Sequence, residues 1–328
     1  MTILVTGSAG HLGEALVRTL RTEGRAARGI DIKPSAFTDV VGSITDADVV
    51  GRAMDGVDAV IHTATLHKPH VATHAYDEFV QTNIAGTLNL LEAALGSKVR
   101  TFVFTSTTST FGAALSPAPG QPAAWIDGNV IPVPKNIYGV TKMAAESMCE
   151  LFHRRHRLPV IILRTSRFFP EEDDDLAVRG IYSRENAQAN ELLYRRADIA
   201  DIVTAHLLAV EKASAIGFGR YIVSATTPFT RDDLAELRGG GAGVVERLYP
   251  GSTALYARNG WTMFGNFDRV YDNRAAREAL GWRPKYDFAH VQDCLRQGCD
   301  FQSDLSRVVG IKGYHDKVFT EGPYPVAR

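Results

Sequence analysis

The sequence predicts an α/β fold in which a doubly wound parallel sheet is joined to a smaller mixed α/β lobe. Three observations predict it. Short apolar stretches alternate with helix-patterned ones through the first half of the chain, a glycine-spaced turn links the first stretch to the first helix, and an acidic residue closes the second stretch. Such alternation, with short links, means parallel strands joined by crossover helices.

The first strand is Thr2-Ile3-Leu4-Val5-Thr6, followed by the turn Gly7-Ser8-Ala9-Gly10-His11-Leu12-Gly13. A helix follows with Leu12, Ala15, Leu16 and Leu20 on one face and Gly24 as its stop. Residues 26–30 form the second strand and end in Asp31, 18 residues beyond Gly13. Further strands are predicted at 57–62, 101–106 and 159–164, with long helices at 76–95 and 138–155. Beyond residue 165 the rhythm breaks. Residues 167–194 read as polar and irregular and include the acidic run 171–175. A strand at 220–223, a helix at 231–237 and a flexible glycine turn at 239–243 complete the pattern. The expected division is a nucleotide-binding (Rossmann) domain over 1–166, its sheet completed by part of 195–225, and a substrate lobe mainly over 167–328.

With 328 residues, 45% apolar and 22% charged, the composition is that of an ordinary globular protein. A net charge of −1 without a basic run argues against nucleic acid as a partner. Cys149, Cys294 and Cys299 make neither a disulfide framework nor a familiar metal spacing, so a reducing, cytoplasmic setting is expected. A strand beginning at residue 2 leaves no room for a signal peptide, and no apolar stretch approaches the ~20 residues of a membrane helix.

A helix that opens on glycines leaves its first N–H groups free to bind a pyrophosphate at the positive end of its dipole. Gly7 permits the turn, Gly10 the approach of the phosphates and Gly13 close helix–strand packing. Asp31, at the end of the second strand, is placed to accept hydrogen bonds from the adenosine ribose and would repel a 2′-phosphate, which favours NAD over NADP. The plain alternative is a strand–turn–helix with a surface Asp.

Tyr138-Gly139-Val140-Thr141-Lys142 holds a second signal. Of 11 tyrosines only Tyr138 has a lysine four residues on, and on a helix that spacing puts both groups on one face. An ammonium there favours the phenolate and would draw the tyrosine toward general-base duty. The strand at 101–106 runs into Thr107, Thr108, Ser109 and Thr110, hydroxyls at the sheet edge where open α/β folds bind ligands. A hydroxyl there can hold a substrate oxygen.

Together these residues resemble the extended short-chain dehydrogenase/reductases, the NAD-dependent epimerase and dehydratase group. Gly7, Gly10 and Gly13 match its cofactor loop, Asp31 its ribose acid, and His62-Thr63-Ala64-Thr65 the segment beside the cofactor. Asn83-Ile84-Ala85-Gly86-Thr87 is similar to its Asn-Val-x-Gly-Thr helix, and Tyr138 and Lys142 match its Tyr-x-x-x-Lys pair. Thr107 falls where its catalytic Ser or Thr lies, residues 201–206 where its Asp-Val-x-x-Ala-His helix lies, and 272–284 where its Leu-Gly-Trp-x-Pro ending lies. The resemblance implies NAD as cofactor and Thr107, Tyr138 and Lys142 as catalytic residues. Gly7, Gly10, His11, Leu12, Gly13, Asp31 and Ala64, together with Tyr138 and Lys142, are implied to bind the cofactor. It also implies a homodimer through the long helices.

Three departures narrow the function. Thr107-Thr108-Ser109 lacks the two carboxyls of the 4,6-dehydratases in this position. Arg167 stands where nucleotide-sugar epimerases carry Asn, as a binder of phosphate or carboxylate or as a partner of Glu171 or Glu172. Tyr194 stands where a diphosphate-binding Arg is usual, with Arg195 one residue on. Thr108, Arg167 and Tyr194 are thus the expected substrate residues. The leading expectation is a sugar or nucleotide-sugar epimerase working by transient hydride transfer. The alternatives are an NAD-dependent dehydrogenase of a free sugar, uronate or similar hydroxy compound, and a non-catalytic NAD-sensing regulator. His67, His70 and His74 are read as a solvated loop rather than a metal site, and the acidic run as a mobile, solvated loop rather than a calcium site.

Overall fold

The computed structural model describes residues 1–313, His315 and Phe319. β1 (Ile3–Thr6) lies at its centre with every residue buried. Ile3 and Val5 point into one core with Leu12, Ala15 and Leu16 of α1 (His11–Thr22), while Leu4 points into the other with Val49, Val50 and Ala53 of α2 (Ala47–Met54). A strand covered on both faces has no polar side, which is why its sequence is a continuous apolar run.

β2 (Ala27–Asp31), β3 (Val40–Val41), β4 (Ala59–His62) and β5 (Thr101–Thr107) follow, then β6 (Ala124–Ile126), β7 (Val160–Thr165), β8 (Phe218–Val223) and β9 (Arg269–Tyr271). Seven of them form one parallel sheet in the order β3-β2-β1-β4-β5-β7-β8, and β6 pairs with β9 in a separate two-stranded sheet. The order reverses between β1 and β4, the switch point at which open α/β sheets bind ligands. Register brings Thr6 beside Ile30 and His62, and Thr107 beside Thr165, so the carboxyl ends converge on one edge.

The helix predicted over 76–95 is continuous but not uniform. α3 (Tyr76–Phe79) passes through a π-helical turn, Val80–Ala85, into α4 (Gly86–Gly96). The widened turn carries Asn83, whose side chain binds Leu66 and Thr141. α5 (Ile137–His156) starts at Asn136, whose side chain accepts from the Gly139 amide and caps the helix.

Three expectations for the second half need correction. Residues 167–194 hold α6 (Leu176–Ile181) and the buried α7 (Arg184–Glu191) rather than irregular chain. The inward side chains of α7 are polar because Asn186 and Asn190 both donate to the Thr262 carbonyl, so a polar pattern conceals a buried helix. Residues 231–237 form two short 3₁₀ turns, Arg231–Asp233 and Glu236–Arg238, instead of a helix. The glycines at 239–243 open α9 (Gly241–Leu248), and a Cβ on Gly241 would lie 2.5 Å from the Phe267 ring. Close packing, not flexibility, explains that glycine.

α7 and α9 share a third core with α10 (Ser252–Arg258) and α12 (Phe288–Gln297), centred on Tyr194, Phe267 and Phe288. α8 (Ile199–Ile216), α11 (Arg274–Leu280), Trp282 and Val309 of α13 (Asp304–Val309) pack instead into the first core against the main sheet. The end of the 167–328 stretch, at 314, 316–318 and 320–328, lies outside the described residues. Among the described residues no helix is long and apolar enough to cross a membrane.

Candidate active site

A cavity of about 580 Å³ opens at the carboxyl edge of the sheet. Its inner wall is the β1–α1 turn. Gly7 has φ +70°, and a Cβ there would press 2.9 Å from the Ala64 backbone. A Cβ on Gly13 would sit 1.9 Å from the Gly7 carbonyl oxygen, so only glycine lets α1 start this close to the turn. Gly10 caps α1 without a side-chain hydrogen bond, and with His11, Leu12 and Gly13 it faces the cavity. The first amides of the helix are therefore available to an anion. Asp31 Oδ2 accepts from the Ala9 amide at 3.0 Å and Oδ1 from the Lys33 amide at 2.8 Å. The carboxylate thus pins the turn while remaining in the cavity wall. Ala64 is positioned by Thr6 Oγ1, which accepts from the amides of Thr63 and Ala64. His62 behind it is locked between Thr6 and Thr87, and burial holds it neutral. The cradle, which a Cβ would fill at Gly13, fits a dinucleotide: pyrophosphate on the start of α1 and ribose at Asp31.

Thr107, Tyr138 and Lys142 meet across the cavity from this cradle. The Tyr138 hydroxyl bonds to Thr107, whose Oγ1 also accepts from the Ser109 amide at 3.0 Å. Lys142 is buried with its Nζ 4.2 Å from the centre of the Phe104 ring. Burial sets both groups' acidity. It pushes the Tyr138 phenol up to about 12, against the lowering by Thr107. It also pulls Lys142 down to about 7, against the opposing charge of Glu146. The sequence reading expected the ammonium to depress the tyrosine. In this geometry burial dominates, the lowering comes from Thr107 rather than from the ammonium, and the tyrosine lies above its ordinary value.

Behind the pair is a network that the sequence reading did not assign. Glu146 Oε1 accepts from Ser106 at 2.5 Å and from Arg164 Nε at 2.9 Å, and Oε2 from Arg164 at 2.7 Å. Arg220 Nε lies 2.9 Å from the same carboxylate. This buried cluster ties α5 to β5, β7 and β8 and fixes the face that carries Tyr138 and Lys142. The available signal was Glu146 itself, four residues beyond Lys142 on the same helical face.

The far end of the cavity differs from expectation at two points. Tyr194 turns into the lobe core, its ring 5.1 Å from that of Phe267, and Arg195 faces the cavity instead. The aromatic ring takes the apolar side because burial favours it there, and the guanidinium takes the side with carboxylates. Part of the acidic run is folded in rather than solvated: Glu171 and Asp173 are buried and Asp174 half-buried, while Glu172 and Asp175 stay exposed. Asp173 lies 2.8 Å from Arg167 and 3.4 Å from Arg195, Asp174 binds Lys68, and Glu171 lies 2.8 Å from His11. Arg167 reaches the cavity wall, but as a partner of Asp173, Asp174 and Glu191. Burial raises Glu191, yet Arg167, Arg195 and Arg196 together hold it down at about 2. Thr108 lies in the cavity wall beside Thr107. The rings of His67 and His70 are 4.8 Å apart and those of His70 and His74 4.9 Å. Among the described residues no three His, Cys, Asp or Glu side chains are placed to hold a metal.

Comparison with known proteins agrees with this architecture. Residues 3–223 match the model of the NAD dependent epimerase/dehydratase family. The NAD-dependent glucose-6-phosphate dehydrogenase of Haloferax volcanii is 31% identical over 178 residues, 49% of this chain and 66% of that protein. The chain spans less than two thirds of the length of the first curated relatives it matches. A short-chain dehydrogenase/reductase superfamily protein from Agrobacterium tumefaciens, solved with bound NAD, superposes with a TM-score of 0.65 at 25% identity over 91% of this chain and 98% of that one. The UDP-glucose 4-epimerase of Thermus thermophilus, in complex with NAD, shares the fold with a TM-score of 0.60 at 22% identity, over 90% and 99%. With the family model covering most of the chain and the cradle shaped for its cofactor, the protein belongs to the NAD-dependent epimerase/dehydratase family, an NAD-dependent enzyme group of the extended short-chain dehydrogenase/reductase type.

Proposed function

We propose that the chain is an NAD-dependent dehydrogenase acting on a hydroxyl of a small free sugar, uronate or similar hydroxy compound, in preference to the sugar or nucleotide-sugar epimerisation that the sequence places first. The observation that carries this reading is the charge balance at the far end of the cavity. Arg167 and Arg195 are committed to Asp173, Asp174 and Glu191 at 2.8–3.7 Å. A nucleoside diphosphate needs uncommitted guanidiniums. Drawing these two away would leave Asp173 buried and unpaired, at a cost of about 3–5 kcal/mol, while Asp174 would keep Lys68 and Glu191 would keep Arg196. A polyhydroxy substrate needs no such rearrangement and finds the hydroxyls of Thr107, Thr108 and Ser109 in the wall. Relatives named as an L-arabinose 1-dehydrogenase and a uronate dehydrogenase point the same way.

NAD, when bound, supplies the hydride acceptor. Tyr138 then takes the proton of the substrate hydroxyl through its phenolic oxygen, and Thr107, already bonded to that oxygen, holds the reacting alcohol beside it. Lys142, one turn along α5 and in the same cavity wall, would hold the cofactor ribose, and its ammonium, where protonated, would favour the phenolate against the burial that raises the phenol. The homodimer belongs to the same proposal, supported by Val80 on the π-helical turn and Val140 and Leu151 on α5, all exposed. The test is a panel of free aldoses, uronates and UDP-hexoses supplied with NAD. NADH is expected to accumulate in step with one of the free compounds. Interconversion of a UDP-hexose without net NADH would overturn the reading in favour of epimerisation.

A further inference from the structure

Residues 311–313, just after α13, lie at the mouth of the dinucleotide cradle. Lys312 and Gly313 line the same cavity as Gly10 and Gly13. Lys312 and His315 are each anchored at that mouth. The Lys312 amide lies 3.2 Å from Nε2 of His11, the first residue of α1, and its ammonium lies 2.5 Å from Glu14 in the first turn. His315 Nε2 lies 3.1 Å from the Pro69 carbonyl, in the loop that follows β4, and its ring packs against those of His70 and His74.

The charges around the mouth say what this segment can do. A pyrophosphate on the start of α1 adds negative charge where Glu14, Asp31 and Glu171 already stand. The helix dipole offers only about half an elementary charge in return. Arg18 is committed to Glu14 at 2.7 Å, and Lys68 and Arg167 to Asp174. Lys312 is partly exposed on a flexible stem, and its departure leaves Glu14 paired with Arg18. We propose that residues 311–313 and His315 form a strap over the bound dinucleotide, with Lys312 as the counter-ion of its pyrophosphate. The strap has to lift before the cofactor exchanges, which makes its opening a natural limit on turnover. This reading rests on the NAD cradle alone and is independent of which alcohol is oxidised.

Three variants test it by cofactor binding rather than by activity: Lys312→Ala, Lys312→Arg, and removal of everything after Gly310. NADH affinity is read by fluorescence titration, and NADH release by mixing the complex with excess NAD. Lys312→Ala is expected to weaken NADH binding about fivefold at low salt, with the loss shrinking as salt rises, and Lys312→Arg to bind as the parent does. Removal of the strap is expected to speed release on the order of tenfold. Parent-like affinity in Lys312→Ala at low salt, or parent-like release without the strap, overturns the proposal. If the shortened chain fails to melt cooperatively, the two Lys312 variants decide alone. A chain that meets these expectations yet oxidises no free sugar leaves the strap standing and removes only the substrate reading.

Discussion

The dinucleotide end of the cavity comes from one contiguous turn plus the acid of the next strand, whereas the substrate end draws its charges from four separated segments. At the first end the backbone carries the specificity: a positive φ at Gly7, a missing Cβ at Gly13 and a start of α1 with no side-chain cap. At the second, Lys68, Arg167, the 173–174 acids, Glu191 and Arg195 neutralise one another in a lattice that is buried around Glu191 and Asp173 and exposed at Lys68. The first construction is local and recurs wherever a pyrophosphate must be held. The second is a three-dimensional charge balance that a change at any one of its members disturbs. It is also where this chain departs from the family's usual residues.

Substitutions at the two ends should therefore fail differently. The largest effect is expected between them, at the reacting group. Tyr138→Phe keeps the ring and removes the hydroxyl, so turnover should fall by about 10³-fold or more with an unchanged melting temperature. Activity within tenfold of the parent would remove Tyr138 from the chemistry and, with it, both enzymatic readings. Next come the glycines. Gly13→Ala forces a Cβ to 1.9 Å from the Gly7 oxygen, and should cost about 3 kcal/mol of stability along with NAD binding. Gly10→Ala meets the same oxygen at 3.2 Å and should be tolerated within about 1 kcal/mol. Equal penalties in denaturant titrations would show that the cradle does not depend on close backbone approach.

At the substrate end, Glu191→Gln should cost on the order of 3 kcal/mol, because three guanidiniums lose their shared counter-charge. The sign with pH follows from its acidity. Glu191 is held at about 2 in the folded chain against an ordinary value of 4.5, so its contribution is complete above 4.5 and is lost as pH falls toward 2. The parent and Glu191→Gln should therefore converge in stability as pH drops through that window. A difference that persists at its acid end would place the loss in packing rather than charge.

How much of this was legible in the sequence follows the same divide. Gly7, Gly10, Gly13 and Asp31 announce themselves because the turn, the helix and the acid lie within one strand–helix–strand unit. Tyr138 and Lys142 do so because their spacing is helical. Tyr194 and Arg195 could not be assigned, since which of two neighbours faces a cavity depends on the core that Phe264 and Phe267 build from 70 residues away. The acidic run reads as solvent-facing from composition, and only the arrival of Arg167, Arg195, His11 and Lys68 draws Glu171, Asp173 and Asp174 inward. α7 was hidden for a related reason, because Asn186 and Asn190 spend their polarity on a single carbonyl. Ser106, Arg164 and Arg220 gather on Glu146 from three strands, and no single-segment motif encodes such a gathering.

The smallest effect tests whether the chemistry between the two ends is maintained at the expense of stability. Lys142 loses its proton near 7 in the folded chain and near 10.5 when exposed, because burial penalises the ammonium. The folded chain therefore binds fewer protons than the unfolded chain between those values, and stability rises with pH across that interval. The cost of burying the charge is complete below 7 and fades as pH approaches 10.5. Lys142→Met keeps the length and apolar stem while removing the charge, and forfeits the contact with the Phe104 ring, worth about 2 kcal/mol when desolvated. The balance should be a gain of about 2 kcal/mol below pH 7, read as a melting temperature a few degrees higher, in a chain that no longer turns over. The advantage should shrink as the pH of the melt is raised. A variant that melts lower than the parent at pH 6 would mean that the ammonium is compensated where it lies, and that this end of α5 is held by its charge rather than strained by it.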